Sequence, residues 1–303
     1  MVQTTVTALG NDLYLIDAFM HDEPHRLACY LFDTPNRLLI ECGPSRSIGH
    51  LYDALTDAGV DDLAVMAVTH IHLDHAGGAG HLASRFPGAR IGVHAAGARH
   101  LMAPDRLWDS ATRIYGERGM QDLWGPMQPV DEDRLLILEE GDRIPLGKGR
   151  FVEVMYTPGH AKHHIVFFEE ETGGAFVGDA VGIAFPHGHV VQPVTPPPDF
   201  DPHLATENLR RIAARRPAFI GFAHFGPATD AAATLASAEA RLWKWVAWVE
   251  RAGDGDLAEA MRTWVLDDYR HGGYDEATIA TLDRNTFWPM QAAGIQRWMS
   301  LHT

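Results

Sequence analysis

A chain of 303 residues, 46% hydrophobic and 21% charged, suits one large α/β unit with an appended piece and excludes a disordered polymer. Its formal net charge of −15, which two divalent cations would lift only to about −11, repels phosphate backbones and argues against nucleic acid as partner. No stretch approaches the roughly 18 consecutive apolar residues of a membrane helix. Residues 1–10 lack a basic n-region and an apolar h-region, and the two cysteines, Cys29 and Cys42, allow one bridge at most. The expectation is a cytoplasmic protein with reduced, packed thiols and no membrane partner.

In chain order, short apolar runs at 2–8, 13–17, 27–32 and 37–40 predict strands of an antiparallel sheet. A helix follows over 47–58, then a buried strand over 63–69 that runs straight into His70. Residues 75–85 predict a helix stopped by Pro87-Gly88, and 90–94 another strand. The segment 103–133 mixes Trp108, Tyr115, Met120, Trp124 and Met127 with Gly and Pro, which predicts an irregular helical insertion. Further strands are expected at 143–146, 151–156, 164–169 and 175–177, then a proline-rich extended loop over 195–199. A helix at 201–214 and a strand at 218–222 lead to His224. Beyond residue 231 the pattern is helical, over 231–252, 255–270 and 275–301. The expected organisation is a catalytic domain over 1–230 and a helical extension over 231–303.

The chemistry concentrates in Thr69-His70-Ile71-His72-Leu73-Asp74-His75, directly after a buried strand. Four donors in six residues need a loop that turns them toward one point, and imidazole with carboxylate suits zinc, with iron or manganese as alternatives. A lone histidine here would more often be a satisfied core residue; four beside Ala76-Gly77-Gly78 are not.

This string has the form HxHxDH, and the chain resembles the metallo-β-lactamase superfamily, in its glyoxalase II and lactonase-like branch. Three further segments over residues 1–230 carry the resemblance: Tyr156-Thr157-Pro158-Gly159-His160, Val177-Gly178-Asp179 and Ala223-His224-Phe225-Gly226. It implies an α/β fold, an αββα sandwich of two mixed β-sheets flanked by helices. It also implies two metal ions, with His70, His72 and His160 on the first, Asp74, His75 and His224 on the second, and Asp179 bridging. Two such centres generate hydroxide at neutral pH, and Asp74 is the candidate for orienting it and moving its proton. Where relatives often carry Asp-x-Gly, this chain has Glu41-Cys42-Gly43, so Glu41 is expected to support a ligand and Cys42 to pack inertly.

Of the other histidines, His21 and His25 are read as part of a solvated loop, with substrate contact as the alternative. Lys162 and His163 are read as surface residues or as a grip on a substrate carboxylate. The spacing of His187 and His189 suits pocket wall or surface better than ligation. Phe19, Met20, Tyr115, Trp124, Phe185 and His187 are the candidate substrate-pocket residues, on segments able to reach over the site. Arg241 and Lys244 are candidates for an anionic substrate or a plain solvated helix face. The expected activity is hydrolysis of a small-molecule ester-like bond, in a lactone, a thioester or a related acyl compound. A mononuclear iron persulfide dioxygenase and a β-lactamase-like amide hydrolase are the alternatives. The tail's aromatics serve a lid or a homodimer equally well.

Overall fold

The computed structural model describes residues 6–184 and 190–302. Strands β1 (Val6–Gly10), β2 (Leu13–Asp17), β3 (Ala28–Phe32) and β4 (Leu38–Ile40) pair antiparallel in sequence order. The same sheet continues parallel through β5 (Val65–Ala67), β6 (Arg90–His94) and β7 (Leu135–Leu138). Helices α1 (Ile48–Asp57), α2 (Leu73–Ala76), α3 (Ala79–Arg85), α4 (Ala95–Met102) and α5 (Asp105–Gly119) lie between these strands in sequence. A single π turn, Met120–Trp124, ends α5.

The second sheet comprises β8 (Arg143–Gly147), β9 (Arg150–Tyr156), β10 (Ile165–Glu169), β11 (Gly174–Gly178), β12 (Phe219–Phe222) and β13 (Gly226–Ala228). Its spatial order reverses the sequence, β13-β12-β11-β10-β9-β8, with β11 and β12 parallel. They are joined by α6 (Pro202–Ala214), which Asp201 caps by accepting from the backbone of His203 and Leu204.

The period-two rule decides which residues fill the sandwich. Leu13 and Leu15, Ala28, Tyr30 and Phe32, and Leu38 and Ile40 turn inward to meet Val152, Val154, Ile165, Phe167 and Phe176. Their alternates Ile16, Cys29, Leu31 and Leu39 face the other way and bury Leu51, Ala54 and Leu55 of α1. Cys29 and Cys42 are free and buried. The two sheets are also stitched by polar bonds at one end. Ile165 N donates to Thr69 O at 2.8 Å, Ala28 N to Ala223 O at 2.7 Å, and the Tyr30 hydroxyl to Phe222 O at 2.8 Å.

The tail consists of α7 (Ala231–Ala252), α8 (Ala258–His271), α9 (Glu276–Arg284) and α10 (Trp288–His302). The expected helix over 275–301 is two helices: Asn285, Thr286 and Phe287 form a corner, and Pro289 sits in the first turn of α10, where its missing N–H does no harm. Trp245, Val249, Met261, Tyr269, Trp288 and Ile295 form a separate core that also buries Ile183, Val190 and Phe200. The tail therefore packs on the 190–200 segment of the sandwich. Gly294 is required at that contact, because a Cβ there would stand 1.8 Å from Thr195 O. Among the described residues no helix is long and apolar enough to cross a membrane.

Among the strands and α-helices of the described residues, β7, β13 and α4 escaped the sequence pattern. The first two are a four-residue and a three-residue strand, too short for alternation to register.

Candidate metal centre

The stitched end of the sandwich carries every candidate ligand, each on a segment leaving a strand. His70, His72, Asp74 and His75 follow β5 and enter α2, His160 follows β9, Asp179 follows β11, and His224 follows β12. Gly178 makes the β11 exit feasible. Its φ is +47°, and a Cβ would stand 2.3 Å from Thr69 Oγ1 and 2.9 Å from His164 Nε2.

Two groups of donors result, sharing Asp179. His70 Nε2 lies 2.9 Å from His72 Nδ1, and His160 Nε2 lies 3.0 Å from the same atom. Nitrogens around one tetrahedral zinc stand about 3.3 Å apart, so these three already converge at slightly less than ligand spacing. On the other side His224 Nε2 is 3.3 Å from Asp74 Oδ2, and His75 Nε2 is 3.7 Å from that oxygen. Asp179 splits between the groups: Oδ2 is 3.5 Å from His160 Nε2, while Oδ1 is 3.5 Å from His75 Nε2 and 3.8 Å from His224 Nε2.

Outer partners fix the ring tautomers. His160 Nδ1 donates to Val194 O at 3.2 Å and His224 Nδ1 to Arg26 O at 2.5 Å, which leaves each Nε2 lone pair directed inward. Thr69 donates to Glu41 Oε1 at 2.5 Å, and the same oxygen lies 3.1 Å from His75 Nδ1, so Glu41 stands behind a candidate ligand as expected. His164 is a support that the sequence did not reveal. Its Nε2 accepts from Asp179 N at 3.2 Å, so its Nδ1 donates to the Thr157 hydroxyl at 2.9 Å, and its ring stacks on His70.

Electrostatics prepare the group for cations. Burial lowers the pKa of His70 and His160, and it lowers His72 to about 4, so these rings are neutral with free lone pairs. Burial opposes ionisation of Asp74 and Asp179, yet the field of His75, followed by His224 for Asp74 and by His160 for Asp179, outweighs it and holds both low. Burial likewise opposes charge on His75, but Glu41, Asp74 and Asp179 surround it and push its pKa well up. Positive charge is favoured at this point whether a proton or a metal supplies it. The buried atoms His75 Nε2, Asp179 Oδ1 and Glu41 Oε2 also lack hydrogen-bond partners among the described residues. Desolvated polar atoms left this way in a native core are the mark of a ligand site, and the donor set fits a divalent metal. Three triads have donor atoms within 4.8 Å of one another: His70-His72-His160, His70-His75-Asp179 and Asp74-His75-His224.

The candidate pocket residues separate. Tyr115 and Trp124 pack together at 5.1 Å between ring centroids, and Trp124 meets His21 edge-on at 5.2 Å. Asp74 acts electrostatically on both Tyr115 and His21, which places this aromatic wall beside the centre. Phe19 and Met20 turn away: Phe19 is buried against His50, and Met20 joins the core cluster with Ile16 and Leu27. The reason is a left-handed backbone at Phe19, His21, Asp22 and His25, held by Asp17, whose carboxylate accepts from Phe19 N and His25 N. That winding aims His21 at the site and its two predecessors at the core, so His21 is not on a solvated loop. Phe185, His187 and His189 lie outside the described residues. His163 is buried with its ring 6.1 Å from His72, while Lys162 is exposed and pairs with Asp199. Arg241 and Lys244 are engaged inside the tail, by Tyr274 and Asp268.

A twin-sheet sandwich with histidine and aspartate triads at one end defines a class of metal-binding proteins. The family model described as "Metallo-beta-lactamase superfamily" matches residues 26–224, and the chain belongs to that superfamily. It is 30% identical over 193 residues to a metallo-beta-lactamase fold-containing protein, ST1585, of Sulfurisphaera tokodaii, covering 62% of this chain and 68% of that one. The crystal structure of ST1585 superposes with a TM-score of 0.69 at 22% identity, over 95% of this chain and 99% of that one. A metallo-beta-lactamase family protein of Thermus thermophilus, TTHA1429, also gives 0.69, at 21% identity over 97% and 95% of the two chains. A hydroxyacylglutathione hydrolase of Thermosynechococcus vestitus is 33% identical over 113 residues, 37% of this chain and 32% of that enzyme, so the match spans about a third of that relative's length.

Proposed function

We propose that this protein is a metal-dependent hydrolase of a small-molecule acyl compound, a lactone, a thioester or a related ester, with a two-metal centre on His70, His72, His160, Asp74, His75, His224 and Asp179. The observation that carries it is the split contact of Asp179, one carboxylate oxygen toward each donor group. Bound divalent cations, zinc or else iron or manganese, supply Lewis acidity and lower the pKa of water.

The chain's own residues do the rest. Asp74 has a side chain 23% exposed, against 6% for Asp179 and 1% for Glu41. It is thus the carboxylate at the mouth, placed to orient an attacking water and accept its proton. His164 braces Asp179 and Thr69 braces Glu41, and Tyr115 and Trp124 exclude water from one side. Convergence of Asp74, His75 and His224 favours this reading over a mononuclear iron dioxygenase, which would leave those three without a task. The partial likeness to hydroxyacylglutathione hydrolases supports a thioester among the substrates.

The test is metal analysis of protein purified without chelator, followed by a panel of lactones, thioesters and phosphoesters. About two equivalents of divalent metal and acyl hydrolysis are expected. One iron per chain with oxygen uptake on a persulfide, and no hydrolysis, would overturn the proposal.

A further inference from the structure

Beside the metal centre, a cavity of about 300 Å³ opens between the 19–26 loop and the α9–α10 corner, lined by Glu23, Pro24, His25, Arg26, Thr281, Arg284 and Asn285. It adjoins the centre through Arg26 itself: the backbone carbonyl of Arg26 holds His224, and Asp74 acts on its side chain. Two of its buried polar atoms lack a hydrogen-bond partner among the described residues. They are Nε of Arg26, whose side chain is 14% exposed, and Asn285 Oδ1. Glu23 is the carboxylate between the two arginines, 3.6 Å from Arg26 and 3.7 Å from Arg284. Both separations exceed hydrogen-bond length. A guanidinium largely withdrawn from water, with Nε lacking an acceptor, is unfavourable, and burial accordingly weighs on Arg26.

We infer that this cavity is an anion-binding subsite that receives a carboxylate of the acyl substrate, with Arg26 as its inner contact and Arg284 as its rim. The inference rests on the hydrolase reading above and narrows its substrate class to acyl compounds carrying a negative charge remote from the scissile bond. Two arginines against one glutamate leave a single net positive charge, which fits a monoanion better than a phosphate dianion. The planar guanidinium suits a carboxylate in particular. Asn285 can turn its amide to donate as well. The aromatic wall of Tyr115 and Trp124 reaches the same corner through Phe287, 5.7 Å from Tyr115, so an apolar chain linking the carboxylate to the acyl carbon has a surface to lie on. The left-handed winding of the 19–26 loop holds this arrangement ready before substrate arrives.

Two paired measurements test it on the metal-loaded protein. Calorimetry compares glutaranilate, an anionic amide, with the neutral valeranilide, and kinetics compares the 4-nitrophenyl monoester of glutarate with 4-nitrophenyl valerate. Glutaranilate is expected to bind at least about tenfold more tightly than valeranilide, and Arg26→Gln and Arg284→Gln each to erase most of that preference. The kcat/KM ratio of the two esters should fall in parallel, through KM. Equal binding of the two amides, or a preference unchanged in both variants, would overturn the subsite. Inorganic phosphate binding more tightly than glutaranilate would overturn the carboxylate assignment. If the arginine-dependent binding is found but neither ester turns over, the subsite stands and the hydrolase reading falls.

Discussion

In the sandwich, the groups that converge on the candidate metal centre are held from behind by backbone-anchored bonds: Val194 O behind His160, Arg26 O behind His224, Asp179 N on His164. In the tail, Gln291 on α10 and Asn285 and Phe287 on the corner before it reach the neighbouring region through side chains alone. The difference separates two tasks. Backbone fixes donor atoms to a few tenths of an ångström, which a metal demands, whereas helix-borne side chains close a pocket, where looser placement suffices.

The sharpest way to break the comparison is at the donors. His72→Ala removes the nitrogen shared by two 2.9–3.0 Å contacts. Hydrolysis should fall well beyond the about 100-fold that outer partners produce, with metal lost and far-ultraviolet circular dichroism unchanged; retained turnover would contradict the assignment. Next comes Gly178→Ala, whose new methyl collides with Thr69 Oγ1 in a left-handed backbone. Destabilisation of about 3 kcal/mol in denaturant titration is expected, and a neutral result would mean that β11 exits differently.

His164→Ala touches no metal in this scheme, yet it frees Asp179 N and Thr157. Metal affinity should drop about 10- to 100-fold in a chelator competition. Gln291→Ala acts from the tail. It strips Thr195 N and Oγ1 of the Oε1 acceptor at 2.6 and 3.1 Å, inside a buried contact, at about 1–2 kcal/mol. A melting temperature equal to wild type would show that the tail is not fastened there. The smallest effect concerns Asp283, which Arg262 grips through two nitrogens and Trp288 through its indole N–H. The Arg262 hydrogen bond lowers its pKa. Its contribution is therefore present above the ordinary carboxylate value of about 3.9 and lost as pH falls through the lower folded value. Asp283→Asn should melt earlier than wild type at pH 7, by about 1 kcal/mol, with the gap closing below about pH 4.

The same contrast explains what could be read in advance. His70, His72, Asp74 and His75 sit within six residues, so local spacing announces them; His160 and Asp179 follow Gly159 and Gly178 at strand ends, and His224 follows a strand end and precedes Gly226. The long strands and α7 were legible because each carries a full apolar period. Nothing local marks His164 as the support of Asp179, since that role depends on β10 and β11 lying side by side. His163 looked like a surface residue because the sequence gives no sign that it tucks under His72. The 19–26 loop misled most: Phe19 and Met20 are expected to face the pocket, but left-handed backbone at Phe19, His21, Asp22 and His25, none of them glycine, turns both into the core. Arg26, Arg284 and Asn285 meet only through tertiary packing across some 260 positions.

One carbonyl joins the molecule's two regions. Val194 orients His160, and its neighbour Thr195 is clasped by Gln291 of α10. Thermodynamic linkage makes that connection reciprocal: whatever the last helix contributes to cation affinity, cation uptake must return to the last helix. Amide protons in α10 should therefore exchange more slowly with deuterium when metal is added, although α10 supplies none of the candidate donors, and chelation should reverse the protection. Identical exchange with and without metal would mean that the carbonyl is set by the loop alone and that the two regions titrate independently.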